Sequence, residues 1–322
     1  MKFRTQIDIP QAKEQLDYSS SILCIGSCFA LSIGSKLQRS KFTTEVNPMG
    51  VMFNPMSIAS TLERLGDGNM VDKSELQQGR EGWFHFDFHG SFSHRDPNVA
   101  VQKMNQAVDA GHLAFAQSDT VIITLGTAWI YQLLNSGVVA ANCHKEPSRR
   151  FSRRAMSVDE VVSAVGAQVQ KYPSKRFIFS LSPIRHLADG HAENSLSKAT
   201  LRVAIAKIVE LYSNASYFPA FEIMMDDLRD YRFYDEDMVH PSSQAVDYIW
   251  SKFCESQISA EAQARMQSVA SIVRAAAHRP FDAASESYRE FCDKQLELIK
   301  KHPNIDFGKE SAFFRGQLQN NL

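Results

Sequence analysis

The sequence has no long apolar run and almost no net charge. No stretch approaches the ~20 consecutive apolar residues that a transmembrane helix requires, so we expect no membrane-spanning segment. The 35 Lys and Arg residues nearly balance the 36 Asp and Glu residues, and the net charge is -1. Proteins that bind nucleic acids or anionic membranes are commonly basic. We therefore expect neither nucleic acid nor a membrane as a partner.

The sequence also lacks paired cysteines, a signal peptide and a phosphate-binding loop. Its five cysteines include no CxxC pair, and the first 15 residues lack the apolar segment of a secretory signal. These absences predict a reduced, cytoplasmic protein. A zinc site made of Cys24, Cys28, Cys143 and His144 would not match the spacing of known fingers or ribbons. Because a Gly-rich phosphate loop is also missing, we expect no metal and no cofactor.

Short apolar runs alternate with helical patterns over most of the chain. The predicted strands are residues 22–25, 43–46, 120–125, 176–181 and 215–219. The predicted helices include residues 28–37, 55–65, 98–116, 158–171 and 195–212. This alternation predicts a parallel α/β sheet with helices on both faces. Ligands of such sheets bind at the carboxyl ends of the strands, so the segments that follow the strands are the candidate sites.

Two stretches interrupt the alternation, and the end of the chain differs in composition. Residues 66–97 are rich in aromatics and His, and they predict either a short hairpin or a segment that covers a pocket. Residues 130–134 and 138–141 predict a β-hairpin. From about residue 255 onward the chain becomes polar and helical. We therefore predict a catalytic domain over 1–255 and a helical extension over 256–322, which packs on the core or mediates oligomer formation.

The first predicted strand ends in a turn that carries two nucleophilic side chains. The segment SILCIGSCFA, residues 21–30, runs from an apolar strand through Gly26 to Ser27 and Cys28, and a helical pattern follows. Backbone N–H groups at a helix N-terminus favour negative charge. Such a turn can supply both a nucleophile and part of an oxyanion hole. The same local field is expected to lower the pKa of a Cys28 thiol.

A second polar pair precedes the last predicted helix of the α/β region. Asp237 lies three residues before His240, and both follow the last predicted strand. A carboxylate at this spacing can orient an imidazole and stabilise its charged form, so that the His acts as a general base. A nucleophile early in the chain and a D-x-x-H pair late in the chain is the order found in SGNH, or GDSL-type, hydrolases.

Several segments resemble one family. Residues 26–30 spell GSCFA, the motif that names the GSCFA family. Four further segments resemble that family as well: NPMGVMFNP at 47–55, TLGTAWIY at 124–131, NCHK at 142–145 and SPIRH at 182–186. A fifth is the run from 217 to 241 that ends in His240-Pro241, so the resemblance covers roughly residues 20–255. This family is similar to the SGNH hydrolases, which implies a flavodoxin-like three-layer sandwich with about five parallel strands.

The resemblance also implies roles for individual residues. Asp237 and His240 match the terminal D-x-x-H, and Gly50 matches the oxyanion glycine after the second strand. The superfamily nucleophile lies two residues after a glycine, which favours Cys28 and leaves Ser27 as the alternative.

One position departs from the superfamily pattern. The usual Asn of the third block is replaced by Ala128. Asn142, His144 and Thr127 are candidates to take its place at the oxyanion. His186, after the fourth strand, is a candidate substrate contact.

The implied function is an SGNH-like hydrolase or acyltransferase that acts on an acyl ester through a covalent acyl-enzyme. Its substrate would be a small molecule or a glycan, and O-acyl carbohydrates belong to the superfamily's substrates. The dense basic run at Arg149, Arg150, Arg153 and Arg154 is either a solvated loop or a contact for an acidic substrate.

Two other interpretations stay open. A non-catalytic binding or assembly protein on the same scaffold fits the missing Asn, because an incomplete oxyanion hole weakens catalysis by roughly 10² to 10³. A redox-sensitive protein would instead use Cys24 and Cys28 as thiols.

Overall fold

The computed structural model describes residues 5–278, 280–282 and 285–319. The chain forms two compact units. The larger, here called the sheet unit, contains Ser21–Gly34, Thr44–Ser251 and the N-terminal segment that ends at Ile9. The smaller, here called the helical unit, contains Pro10–Ser20, Ser35–Thr43 and the chain from Lys252 onward. Neither unit is continuous in sequence, and the division of function at residue 255 stays a prediction.

Those strands and helices that were predicted lie close to their expected positions. The strands are β1 (Ser21–Gly26), β2 (Thr43–Val46), β3 (Gln77–Gly79), β4 (Gly82–Phe84), β5 (Thr120–Leu125), β6 (Trp129–Leu133), β7 (Val139–Ala140), β8 (Phe151–Ala155), β9 (Arg176–Leu181) and β10 (Ala215–Phe218). The helices are α1 (Cys28–Arg39), α2 (Pro55–Asp67), α3 (Pro97–Gln117), α4 (Val158–Lys171), α5 (His191–Leu211), α6 (Ala220–Glu222), α7 (Ser243–Gln257), α8 (Ala260–Ala277), α9 (Glu286–Lys300) and α10 (Gly308–Gln319).

Five of the strands form one parallel sheet, in the order β10-β9-β5-β1-β2. Counted along the chain among these five strands and read from the β2 edge, the order is 2-1-3-4-5, which is the flavodoxin-like order. The predicted fold class is therefore confirmed. In this topology the strand order reverses between β1 and β5, and ligands of such folds bind beside the carboxyl ends of the strands at that point.

The sheet forms because its central strands are apolar on both faces. All six residues of β5 are buried, and five of the six in β1 and in β9 are buried as well. Strands that read as continuous apolar runs are typical of a parallel sheet covered by helices on both sides. The flanking helices begin at capping side chains. Asn54 caps α2, Asp96 caps α3, and Ser157 with Glu160 forms a capping box at α4.

Two insertions leave the sheet between β2 and α4. The His-rich stretch contains the β3–β4 hairpin, so the predicted hairpin is present. The predicted hairpin at 130–141 is also present, as β6 and β7, but β6 pairs on its other side with β8. Strand β8 was not predicted, because its middle residues are the polar run Ser152, Arg153 and Arg154, which hides any alternation of apolar side chains.

The helical unit has an apolar core of its own. Helices α8, α9 and α10 contribute Val269, Ile272, Cys292 and Phe314 to this core, and the predicted C-terminal helices are therefore confirmed. The two N-terminal segments of this unit, Pro10–Ser20 and Ser35–Thr43, contact each other where the Tyr18 ring stacks on the Phe42 ring, with ring centroids 4.6 Å apart. No helix among the described residues is long and apolar enough to cross a bilayer.

A glycine is required at the end of β1. Gly26 has a φ of +139°, and an added Cβ would overlap the backbone carbonyl of Thr124 on the neighbouring strand. We expect Gly26→Ala to lower the free energy of unfolding by roughly 3 kcal/mol or more, because the backbone strain and the steric overlap add together. Urea denaturation of wild type and variant measures the difference.

Gly137→Ala is the matched control for this substitution. Gly137 also has a positive φ, +71°, but nothing lies within 4 Å of its added Cβ. We expect the free energy of unfolding of this variant to fall by only about 1–2 kcal/mol, which is the conformational cost of a side chain at positive φ. Equal losses in the two variants would show that contact with Thr124 is not the reason for glycine at position 26.

Candidate functional site

The turn after β1 is tied to two neighbouring segments by backbone groups. Gly26 donates its N–H to Oδ1 of Asn47 (2.8 Å) and accepts the N–H of Met52 at its carbonyl (3.0 Å). Ser27 donates its N–H to the carbonyl of Thr124 on β5 (3.2 Å). The start of α1 is therefore held both by the loop that follows β2 and by the adjacent strand.

The two candidate nucleophiles in this turn have different surroundings. Ser27 is fully buried, and its Oγ accepts the N–H of Phe29 (3.3 Å), as a helix N-cap does. Cys28 is partly exposed at the first position of α1. Within the described residues, no other residue accepts the Cys28 N–H.

The pKa of the Cys28 thiol differs from expectation. Burial raises it, and this effect outweighs the opposing effect of the residue's own N–H. The expected lowering by the helix N-terminus is therefore wrong for this structure, because partial removal of the sulfur from water disfavours the thiolate more strongly.

Asp237 and His240 form a hydrogen-bonded pair in the loop before α7. Oδ2 of Asp237 lies 2.6 Å from Nδ1 of His240. Oδ1 of the same carboxylate accepts the backbone N–H groups of Val239 (2.8 Å) and His240 (2.9 Å). The hydrogen bonds from the His240 backbone and ring, together with that from Val239, lower the pKa of Asp237 to about 2. An ionised Asp237 favours the imidazole tautomer with a proton on Nδ1, which leaves Nε2 able to accept a proton.

The loop after β9 lies next to this pair. Arg185 donates its backbone N–H to the carbonyl of Val239 (3.2 Å). The His186 backbone N–H is held by Oδ1 of Asn194 on α5 (2.8 Å), and its ring meets Phe53 edge-on at 5.7 Å. Burial, followed by the charges of Lys198 and His240, lowers the pKa of His186 to about 4. His186 is therefore a neutral side chain that lies near His240 at neutral pH.

A buried lysine that the sequence analysis missed connects the ends of β5 and β9. Lys198 on α5 is only 3% exposed, and its Nζ donates to the carbonyls of Gly126 and Ser182, each at 2.8 Å. Burial lowers its pKa to about 7. The sequence does carry a sign of this burial. Lys198 lies three residues before Leu201 and seven before Ile205, which places it on the buried face of the helix.

The loop after β5 uses its polar groups for internal contacts. Gly126 and Thr127 both donate their N–H groups to the carbonyl of Phe53 (2.8 and 3.0 Å). The Thr127 hydroxyl lies 3.1 Å from Oγ of Ser197 and accepts the N–H of Trp129. Ala128 is completely buried. The position that holds Asn in the superfamily pattern is thus part of the core in this chain.

The predicted oxyanion glycine also has an internal partner. Gly50 has a φ of +94° and donates its N–H to the carbonyl of Asn47 (2.7 Å). An added Cβ at this position would overlap the side chain of His89. The oxyanion role of Gly50 stays a prediction, and it requires this turn to release the N–H.

Asn142 and His144 lie together at a different feature, a cavity of about 210 Å³ that His89 also lines. Oδ1 of Asn142 accepts the N–H of His144 (2.9 Å), and the His144 ring stacks on Phe84 at 4.2 Å. Nε2 of His144 lies 3.0 Å from the carbonyl of His85. Burial is the main cause of a lowered pKa of His144. Both side chains therefore shape the wall of a polar cavity whose lining includes a neighbour of Gly50.

The basic run is largely engaged in contacts within the chain. Arg150 pairs with Glu146, and Arg154 pairs with Glu160 at 2.7 Å. The guanidinium of Arg153 lies 3.8 Å from the centre of the Trp129 ring. In the described part of the chain, no three His, Cys, Asp or Glu side chains are arranged to hold a metal ion.

The lowered pKa of Lys198 predicts a specific dependence of stability on pH. The unfolded chain holds the lysine proton up to a pH of about 10.5, whereas the folded chain releases it near pH 7. We expect the wild type to gain stability over Lys198→Met as pH rises from 7 to 10, by up to about 1.4 kcal/mol per pH unit.

Urea denaturation at several pH values measures this gain. Lys207→Met is the matched control, because Lys207 lies on the same helix in an exposed pair with Asp159. Parallel pH profiles for wild type and Lys198→Met would mean that Lys198 stays charged in the folded protein.

The Asp237–His240 pair can be tested without knowledge of a substrate. We expect Asp237→Asn to shift the His240 imidazole away from the tautomer protonated on Nδ1, because the amide removes the acceptor charge. The ring ¹⁵N chemical shifts of His240 report the tautomer. Asp235→Asn provides the control, since Oδ1 of Asp235 accepts only the Glu236 N–H in the same loop. An unchanged tautomer in Asp237→Asn would show that the carboxylate does not orient the ring.

Comparison with known proteins places the chain in a family. A model of the GSCFA family matches residues 21–253, which include the turn after β1, the loops after β5 and β9, and the Asp237–His240 pair. A separate model, described as the GSCFA domain protein, C-terminal domain, matches residues 269–320. A search of curated proteins finds no match. Because the first model covers well over half of the 322 residues, the chain belongs to the GSCFA family.

Proposed function

We propose that this GSCFA protein is an SGNH-like hydrolase or acyltransferase that acts on an acyl ester. Cys28 is the nucleophile, His240 the general base and Asp237 the residue that orients the base. The observation that carries the proposal is the Asp237–His240 hydrogen bond of 2.6 Å, in a loop tethered to the residues that follow β9. A carboxylate that fixes an imidazole in this way prepares Nε2 to accept a proton.

Cys28 is favoured over Ser27 because of accessibility. An ester carbonyl must approach within about 3–3.5 Å of the attacking atom. The Ser27 hydroxyl is completely buried and caps α1, whereas Cys28 is partly exposed at the N-terminus of the same helix. Attack by Ser27 would require that cap to open.

The raised pKa of Cys28 indicates how the first step proceeds. The sulfur is a thiol before attack, and its proton passes to Nε2 of His240 as the S–C bond forms. The tetrahedral intermediate then collapses, the ester C–O bond breaks, and the imidazolium returns the proton to the leaving alcohol oxygen. Water or an acceptor hydroxyl attacks the thioester in the second half of the reaction and regenerates the thiol. Hydrolysis and transfer differ only in that acceptor.

Backbone N–H groups supply the oxyanion donors in this proposal. The N–H of Cys28 has no acceptor in another described residue, and neither does that of Val51, whereas the N–H of Gly50 is bonded to Asn47. Val51 precedes Met52, whose N–H holds the Gly26 carbonyl beside the nucleophile turn. We therefore propose that the backbone N–H groups of Cys28 and Val51 bind the oxyanion. Asn142 is the candidate for a side-chain donor.

A non-catalytic binding or assembly protein is the second candidate function. The specific observation in its favour is Ala128, which is buried where the superfamily provides a side-chain donor. Loss of one such donor weakens catalysis by roughly 10² to 10³. A scaffold with that loss can still hold a ligand at the same edge of the sheet.

A panel of short-chain aryl esters and four variants distinguishes these functions. We expect Cys28→Ala and His240→Ala to lose roughly 10³-fold or more of the wild-type kcat/KM, because each removes a group needed for acyl transfer. Ser27→Ala should keep most of the activity while its stability falls by about 1 kcal/mol through loss of the cap. Mass spectrometry should detect an acyl adduct on Cys28 in the wild type, and an ester-linked adduct in Cys28→Ser.

The control for thiol reactivity is Cys254→Ala, which replaces another partly buried free cysteine. Full activity in Cys28→Ala would exclude Cys28 as the nucleophile. The absence of both turnover and adduct in the wild type, over the whole panel, would favour the binding protein.

A further inference from the structure

Arg185 is held in a fixed position by two aromatic rings. Its guanidinium carbon lies 4.1 Å from the centre of the Tyr234 ring and 5.4 Å from that of Tyr231. Burial raises the pKa of Tyr234, and the charge of Arg185 opposes that rise. A guanidinium stacked on aromatic faces keeps its charge and holds its planar set of donors in one orientation.

Arg185 has no ion-pair partner among the side chains that the structure describes. The Nε of Arg185 is buried with no acceptor. A buried donor without an acceptor costs about 1–3 kcal/mol. An acceptor that arrives with a ligand would remove this cost.

Arg185 is also directly connected to the candidate catalytic loop. Its own N–H bonds the carbonyl of Val239, which precedes His240. The next residue, His186, is close enough to His240 for that ring to affect its pKa, and Nε2 of His186 is likewise buried without a partner. Two adjacent residues in the loop next to the candidate base therefore carry a buried nitrogen without a hydrogen-bond partner.

We infer that Arg185 forms an anion-binding subsite, so that the acyl substrate of this enzyme carries a carboxylate or phosphate group. The identification of the ligand as substrate rests on the proposed function. An acidic substrate would then be recognised at Arg185 and not at the basic run, where Arg150 and Arg154 are already paired with glutamates. Arginine suits this role because its planar donors match carboxylate and phosphate oxygens in pairs.

Acidic neighbours limit the strength of such a subsite. The loop that carries His240 also holds Asp230, Asp235, Glu236 and Asp237. Local N–H groups engage three of these carboxylates: Asp230 accepts from Arg232, Asp235 from Glu236, and Asp237 from Val239 and His240. Their remaining charge still opposes an anion. We therefore expect Arg185 to contribute about tenfold to a hundredfold in selectivity, as one or two charge-assisted hydrogen bonds do.

A matched pair of substrates measures this selectivity. The probes are the 4-nitrophenyl esters of butyric acid and of glutaric acid, of which only the second carries a free carboxylate. We expect the wild type to favour the glutarate monoester by tenfold or more in kcat/KM, and Arg185→Met to lose that preference. Arg95→Met is the control, since Arg95 is an exposed arginine of the sheet unit outside the basic run, and its selectivity ratio should equal that of the wild type.

A binding measurement separates failure of the subsite from failure of the proposed function. Succinate and inorganic phosphate are titrated into ¹⁵N-labelled wild type while the Nε–Hε resonance of Arg185 is followed; its assignment comes from its loss in Arg185→Lys. A saturable shift without ester turnover would retain the subsite and remove the hydrolase. Turnover without preference for the anionic ester, or no shift up to tens of millimolar of either anion, would overturn the subsite. Comparison of the two anions distinguishes a carboxylate from a phosphate ligand.

Discussion

The parallel register of β1, β5 and β9 is the constraint on which the candidate site depends. Gly26 pairs with Thr124, and Leu125 pairs with Leu181, so the three strands end at the same edge of the sheet. The segments that follow them begin side by side: the turn that carries Ser27 and Cys28, the Gly126–Thr127 loop and the Arg185–His186 loop. Residues more than 150 positions apart in sequence thus become neighbours through hydrogen bonds between strands.

Buried polar side chains hold these loops where the strand hydrogen bonds end. Asn47 binds the Gly26 N–H, Asn194 binds the His186 N–H, and Lys198 bridges the carbonyls of Gly126 and Ser182. Each satisfies a backbone group that would otherwise be buried without a partner, which is costly in the interior. The positions of the candidate catalytic groups therefore depend on side chains that take no part in the proposed chemistry.

Two features of the site favour a general-base mechanism over a preformed ion pair. The Cys28 thiol has a raised pKa, and the Asp237 carboxylate is ionised over almost the whole pH range in which the protein can be studied. In the proposed reaction, an ionised carboxylate behind His240 would stabilise the imidazolium only when it forms, during proton transfer from the sulfur. In the proposed mechanism the helix N-terminus therefore provides N–H donors and does not activate the thiol.

The sequence determined the elements and the Asp237–His240 pair, because both depend on local patterns. Apolar runs, capping residues and a spacing of three residues are visible without any knowledge of distant contacts, and β1, β5, α4 and the D-x-x-H pair follow from them. Only the tertiary structure decided which polar groups are free. Gly50 and Thr127 are committed to internal hydrogen bonds, most of the basic run is in internal contacts, and Arg185 has no counterion among the side chains that the structure describes. These outcomes depend on partners far away in sequence, and burial, which sets the pKa values of Cys28, His186 and Lys198, exists only once the sheet and its helices have packed.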